Sequence, residues 1–200
     1  PYSSARSEYS GDADVFLDAN ENFQEFVETS GSPRNRYPDP FQRELKKRVA
    51  ELFGISAEKL FLGNGSDEAI DLLYRAFAVP GVDKAVILPP TYGVYKVFAD
   101  LNDIEVVRIP LTSMFTIDLD LLRTSLATEP VNRLKLLFIC SPNNPTGNSA
   151  DPAVLKQVLD MFPGIVVVDE AYQDFSTNPS ALELLDSYEN LVVLRTFSKA

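Results

Sequence analysis

The chain of 200 residues predicts an α/β protein built on a mostly parallel sheet sandwiched by helices. Three observations predict it. The apolar runs Leu134–Cys140, Ile165–Val168 and Leu191–Leu194 are strand-length and near-continuous, as in strands covered on both faces. Segments with apolar residues at helical spacing alternate with these runs. A hydrophobic content of 45% is enough to fill a core at this length, with a prior of one to two domains.

The first forty residues are polar and irregular, with Ser-, Asn- and Pro-rich stretches ending in RYPDP, and read as an N-terminal arm, 1–40, with little core of its own. A large domain, 41–200, follows. Phe41, Leu45, Val49 and Leu52 recur at helical spacing and Gly54 closes that helix. A second helix is predicted over about 67–77, with Ile70, Leu73 and Phe77 on one face and Ser66 as its cap. Strands over 84–88 and 104–109 flank a helix over 92–100. Asp118–Leu126 reads as helix, as does Asp151–Met161, where Asp151 caps and Pro152 occupies the first turn.

The formal charge of −11 and pI near 4.5 oppose nucleic acid and anionic membranes as partners but leave room for a small anionic ligand. The apolar runs are too short to span a bilayer and no signal peptide opens the chain, so a cytoplasmic location is expected. The lone Cys140 has no internal disulfide partner, which fits a reducing compartment. Histidine is absent, which excludes His triads and His-ligated metals within this stretch, and no metal is expected. Because the chain opens at Pro1 and closes at Ala200 just past a strand, it is expected to be part of a longer protein.

In a sheet of this kind ligands bind beyond the carboxyl ends of the strands. Polar motifs sit there: SPNNPTG (141–147), DEAYQDF (169–175) and RTFSKA (195–200). A lysine in a water-poor site becomes an amine nucleophile toward carbonyls, pyridoxal phosphate among them, although Lys199 taken alone reads as a solvated charge. That cofactor needs a carboxylate at its ring nitrogen, and Asp169 is the candidate; it reads equally well as a helix N-cap. Asn144 and Tyr172 are candidate donors to the ring's phenolate, the first alternatively shaping a turn and the second packing in a core. The run 63–68, GNGSDE, offers backbone N–H groups to a phosphate, or is simply a glycine-rich turn ahead of a helix.

GNGSDE (63–68), PPTYGVY (89–95), SPNNPTG (141–147), VVDEAY (167–172) and RTFSKA (195–200) resemble, in order, motifs of the fold-type I pyridoxal-phosphate-dependent aminotransferases. PYSSAR (1–6), LDANEN (17–22) and NRYPDP (35–40) point to the branch acting on histidinol phosphate. The resemblance covers essentially the whole chain and implies the large domain of that fold, incomplete on its C-terminal side. It implies pyridoxal phosphate as cofactor and amino transfer between L-histidinol phosphate and 2-oxoglutarate, in histidine biosynthesis. It further implies that Lys199 is the Schiff-base lysine and proton shuttle, that Asp169 partners the pyridinium, and that Tyr172 and Asn144 hold the phenolate. Tyr92 would stack on the ring, while Gly65, Ser66 and Asp67, with Thr196 and Ser198, would form the phosphate site. Tyr37 would reach the cofactor of a neighbouring subunit in a homodimer with shared sites, and Tyr2 and Asn20 would touch the substrate.

Two departures limit the carry-over. Phe23 follows ANEN where many relatives have proline, and the arginines expected to follow the lysine and to grip a carboxylate lie beyond Ala200. Arg195 does not replace them and reads as structural or a surface charge. A threonine-phosphate decarboxylase-like lyase and a non-catalytic cofactor-binding regulatory domain are the alternatives to a transaminase.

Overall fold

The protein is described by a computed structural model covering residues 5–24 and 35–199. It divides into two compact units, Pro1–Leu62 and Gly63–Ala200. The helix opening at Arg43 thus groups with the N-terminal residues.

The first unit holds a single turn, α1 (Ala5–Glu8), and the helix α2 (Arg43–Phe53). Asp39 starts α2: its carboxylate accepts from the backbone N–H of Phe41 at 3.0 Å and of Arg43 at 3.1 Å, placing negative charge at the positive end of the helix. Gly54, at φ 67°, closes it as the sequence predicts. Of the predicted apolar face only Val49 is buried; Phe41, Leu45 and Leu52 are exposed. Glu21 organises the rest of the unit. It receives Arg6 at 3.0 Å, Arg36 at 3.0 Å and the Tyr37 N–H at 2.7 Å, so it joins residues from all three N-terminal motifs. The hydrogen bonds from Arg6 and then Tyr37 hold its carboxyl down at about 2.

The second unit is a five-stranded, wholly parallel sheet in the order β2-β1-β3-β4-β5. Its strands are β1 (Lys84–Ile87), β2 (Glu105–Arg108), β3 (Leu134–Cys140), β4 (Ile165–Asp169) and β5 (Leu191–Leu194). Four helices cover it: α3 (Gly65–Phe77), α4 (Val94–Leu101), α5 (Leu119–Ala127) and α6 (Pro152–Met161). Side-chain alternation splits the core between two faces. On one, Val86, Leu137, Ile139, Val166 and Val168 pack with Leu122 and Leu126 of α5 and Leu155, Val158 and Leu159 of α6. On the other, Ala85, Ile87, Leu136, Phe138, Cys140 and Val167 pack with Ile70 and Tyr74 of α3 and Tyr95 and Ala99 of α4.

Local chemistry sets the helix ends. Asp118 caps α5 through the N–H groups of Asp120 and Leu121, and Asp151 caps α6 through that of Ala153 at 2.7 Å. Two expectations for α3 are corrected. Ser66 lies inside the helix rather than capping it, because Gly65 at φ 76° turns the chain into the helix earlier, after Asn64, whose N–H bonds to the Glu68 carboxylate. The buried stripe runs through Ile70 and Tyr74, one turn apart, while Phe77 faces outward. Among the described residues no helix is long and apolar enough to cross a membrane.

Candidate functional site

The chain leaves β1 toward β2 on one side and returns to place β3 on the other, with α4 on one face of the sheet and α5 on the opposite one. Such a reversal opens a crevice beyond the ends of β1 and β3, where ligands bind in doubly wound sheets. The loops after β1 and β3 are tied together there. Asn143, buried, donates to the Pro90 carbonyl at 2.9 Å and to Thr146 Oγ1 at 2.8 Å. Its side chain is consumed in shaping the loop, whereas the carboxamide of Asn144 next to it is partly exposed and makes no hydrogen bond with the described residues. The turn-forming role considered for Asn144 therefore falls to Asn143.

Asp169 ends β4, opposite Cys140 in the neighbouring strand and 2% exposed. Oδ2 accepts from Tyr95 Oη at 2.7 Å and Oδ1 from the Ala171 N–H at 3.1 Å. Among the described residues no cation pairs with it. Burial pushes its carboxyl above the usual carboxylate range, against the pull of these two donors. Tyr95 itself is fully buried, stacked on Phe138 with ring centroids 4.8 Å apart and met edge-on by Tyr92 at 5.6 Å. The spacing of Tyr95, three residues after Tyr92 on a helix start, was the only sequence signal for it.

Tyr92 is half-buried and donates to Asp67 Oδ1 at 3.3 Å, which links the loop after β1 to the first turn of α3. Asp67 and Gly65 are exposed and Ser66 partly so, at the end of a thirteen-residue helix whose first N–H groups have no intrahelical partners. Beyond β5, Thr196 Oγ1 donates to Ser198 Oγ at 3.0 Å and accepts the Ser198 N–H at 3.1 Å, a tight turn that presents Lys199. The Lys199 Nζ lies 5.8 Å from the centre of the Tyr172 ring. Lys199 is exposed, so the described residues do not supply the water-poor setting expected for a reactive amine; the turn supports it from one side only.

Arg195 is structural. Its side chain is 19% exposed and pairs with Glu170 at 3.3 Å and Asp174 at 3.0 Å. Glu170 also accepts from Ser180 Oγ at 2.6 Å and the Ala181 N–H at 2.6 Å, so the residue after Asp169 anchors the chain that follows it. Asn20, at φ 50°, is exposed in the first unit. Tyr37 is there too, 71% exposed and tied through its N–H to Glu21, a hub that the sequence reading missed. Tyr2 lies outside the described residues. A cavity of about 430 Å³ beside these loops is lined by Leu88, Thr91, Ile139, Cys140, Asn143 and Asn148, and includes none of Asp169, Tyr172 or Lys199.

Topology and the placement of these groups define the class: a doubly wound α/β protein whose candidate ligand site lies beyond its strand ends, around a buried carboxylate. Comparison with known proteins is more particular. Residues 5–200 match the family described as aminotransferase class I and II, and the chain belongs to that family. It is 52% identical over 205 residues to the histidinol-phosphate aminotransferase of Cytophaga hutchinsonii, covering 100% of this chain and 56% of that protein. The crystal structure of the histidinol-phosphate aminotransferase from Clostridium acetobutylicum shares its fold with a TM-score of 0.71 at 25% identity, over 82% of this chain and 48% of that one. The corresponding enzyme of Sinorhizobium meliloti, in complex with pyridoxal-5'-phosphate, does so with a TM-score of 0.71 at 24% identity, over 82% and 44%. The chain spans about half the length of the curated relatives it matches.

The cofactor of this family is pyridoxal phosphate, and the donor set fits it. A carboxylate buried with neutral donors alone suits a cationic ring nitrogen. A helix N-terminus whose first turn carries the Ser66 hydroxyl suits a phosphate. An amide and a phenol whose polar groups make no hydrogen bond among the described residues suit a phenolate.

Proposed function

We propose that this chain is the cofactor-binding part of a transaminase that exchanges the amino group of L-histidinol phosphate with 2-oxoglutarate, in histidine biosynthesis. Asp169 carries the reading: its buried charge has no cation partner among the described residues, and a protonated pyridine nitrogen is the counter-ion such a site calls for. The substrate is supported by the 52% identity to the Cytophaga enzyme and by the N-terminal motifs that Glu21 ties together.

When bound, pyridoxal phosphate supplies an electron-withdrawing ring that stabilises negative charge on the substrate carbon. The residues divide the remaining work. Asp169 would hold a proton on the ring nitrogen, Asn144 and Tyr172 would donate to the ring oxygen, and Tyr92 would pack against the ring. The N–H groups of Gly65, Ser66 and Asp67, with the hydroxyls of Thr196 and Ser198, would hold the phosphate. The Lys199 amine would be the group that holds the cofactor and would move the proton at the substrate carbon. Tyr2 and Asn20 contact the substrate, and Tyr37 serves the site of a second subunit in a cytoplasmic homodimer.

The full-length protein is the object to test. Glutamate formed from L-histidinol phosphate and 2-oxoglutarate, with ping-pong kinetics, is the expected result. Carbon dioxide released from threonine phosphate would point to a lyase instead, and binding of pyridoxal phosphate with neither reaction would point to a regulator. Lys199→Ala is expected to abolish turnover and the visible band of the bound cofactor; a variant that kept the band without added amine would overturn the assignment of Lys199.

A further inference from the structure

We propose that Tyr95 is a positioning residue for the carboxylate that serves the cofactor: its hydroxyl, fixed in the core, holds Asp169 in one orientation and preserves its negative charge for the ring nitrogen. The inference rests on the reading of the site given above and concerns a residue that does not itself touch the cofactor.

Geometry carries it. Tyr95 Oη reaches Oδ2 at 2.7 Å while the Ala171 N–H reaches Oδ1 at 3.1 Å, one neutral donor to each oxygen. Two such bonds fix the carboxylate plane, and each oxygen retains a lone pair for a ligand. A lysine or arginine in the place of Tyr95 would orient Asp169 as well but would cancel its charge; a phenol orients it and leaves the charge intact. The phenol has no freedom to turn away. Its ring is fully buried between Phe138 and the edge of Tyr92, and its own carbonyl accepts from Tyr74 Oη at 2.9 Å. Burial, and then the nearby Asp169, drive the Tyr95 hydroxyl well above its ordinary range, so it stays a donor at any pH the protein meets. The other titratable groups around the pair are Cys140 from β3, Asp67 from α3 and Tyr92 ahead of α4; none is a cation.

The test compares the full-length wild type with Tyr95→Phe and with Tyr74→Phe, which removes a hydroxyl from the same aromatic stack without touching Asp169. Cofactor-free protein is titrated with pyridoxal phosphate and with its 1-deaza analogue, which has carbon in place of the ring nitrogen, while thermal melts follow stability. Tyr95→Phe is expected to bind pyridoxal phosphate roughly ten- to a hundredfold more weakly, the range that a hydrogen bond to a charged group supplies. It should bind the deaza analogue as the wild type does, because that ring cannot use the charge. Tyr74→Phe should lose stability and keep both affinities. Unchanged affinity in Tyr95→Phe, or an equal loss for both ligands, would overturn the inference and leave Tyr95 a packing residue. A wild type that bound no pyridoxal phosphate would instead overturn the reading of the site on which it rests.

Discussion

At the residue scale, the site places its most costly group where folding alone would not choose it. Asp169 is pushed upward by burial more than Tyr95 and Ala171 pull it down. A carboxyl whose folded value exceeds its unfolded one contributes fully to stability below the unfolded value and loses that contribution as the pH rises through the folded one. Asp169→Asn is therefore expected to raise the melting temperature of the cofactor-free full-length protein at pH 7, since the amide oxygen can accept from the Ala171 N–H and its NH2 can donate to Tyr95 Oη without the charge. The advantage should vanish in acid below the ordinary carboxylate range. Melts over a pH series check this, and a lower melting temperature at pH 7 would refute it. The same change is expected to cut transamination at least about 100-fold, as removal of a preorganised electrostatic group does. The strand-end positions of Asp169, Tyr172, Asn144 and Lys199 were legible in the sequence because each follows closely on an apolar run. Tyr95 was not, because its partner is 74 residues away across the sheet.

At the element scale, what aligns the site is the parallel register that sets Cys140 opposite Asp169 and Asp169 opposite Leu194. The approach to β4 is tight. A Cβ on Gly164 would lie 2.5 Å from the Lys135 carbonyl oxygen and 2.7 Å from that of Leu134, so backbone would have to yield. Gly164→Ala is expected to cost roughly 1–3 kcal/mol, the scale of overpacking in a closed core, and to show in denaturant unfolding of the full-length protein. A loss under half of that would mean that β3 and β4 separate more easily than their packing implies. The sequence predicted the bounds of β3 and β5 as observed because continuous apolar runs end abruptly in polar motifs. It misplaced the start and the buried face of α3, because Gly65 and Ser66 are both plausible helix openers and only packing against Phe138 and Tyr95 selects Tyr74 over Phe77.

At the scale of the whole molecule, the homodimer with shared sites proposed above would make Tyr37 and Lys199 of one chain serve different sites. Co-expression of Tyr37→Ala with Lys199→Ala, each with little activity as a homodimer, is expected to restore activity in the mixed dimer, where roughly half the sites carry neither change. Hybrid dimers no more active than either parent would refute the sharing. By itself the sequence determined the α/β class, the alternation of strand and helix, and the strand-end motifs, because these depend on local periodicity and on residues a few positions apart. Only the tertiary structure decided which of two adjacent asparagines ties the two loops together, that Arg195 is spent on Glu170 and Asp174, that Glu21 joins three separate motifs, and that a buried phenol holds Asp169. The physical reason is common to all four: a polar side chain is committed by the partners it meets when buried, and those partners lie far along the chain.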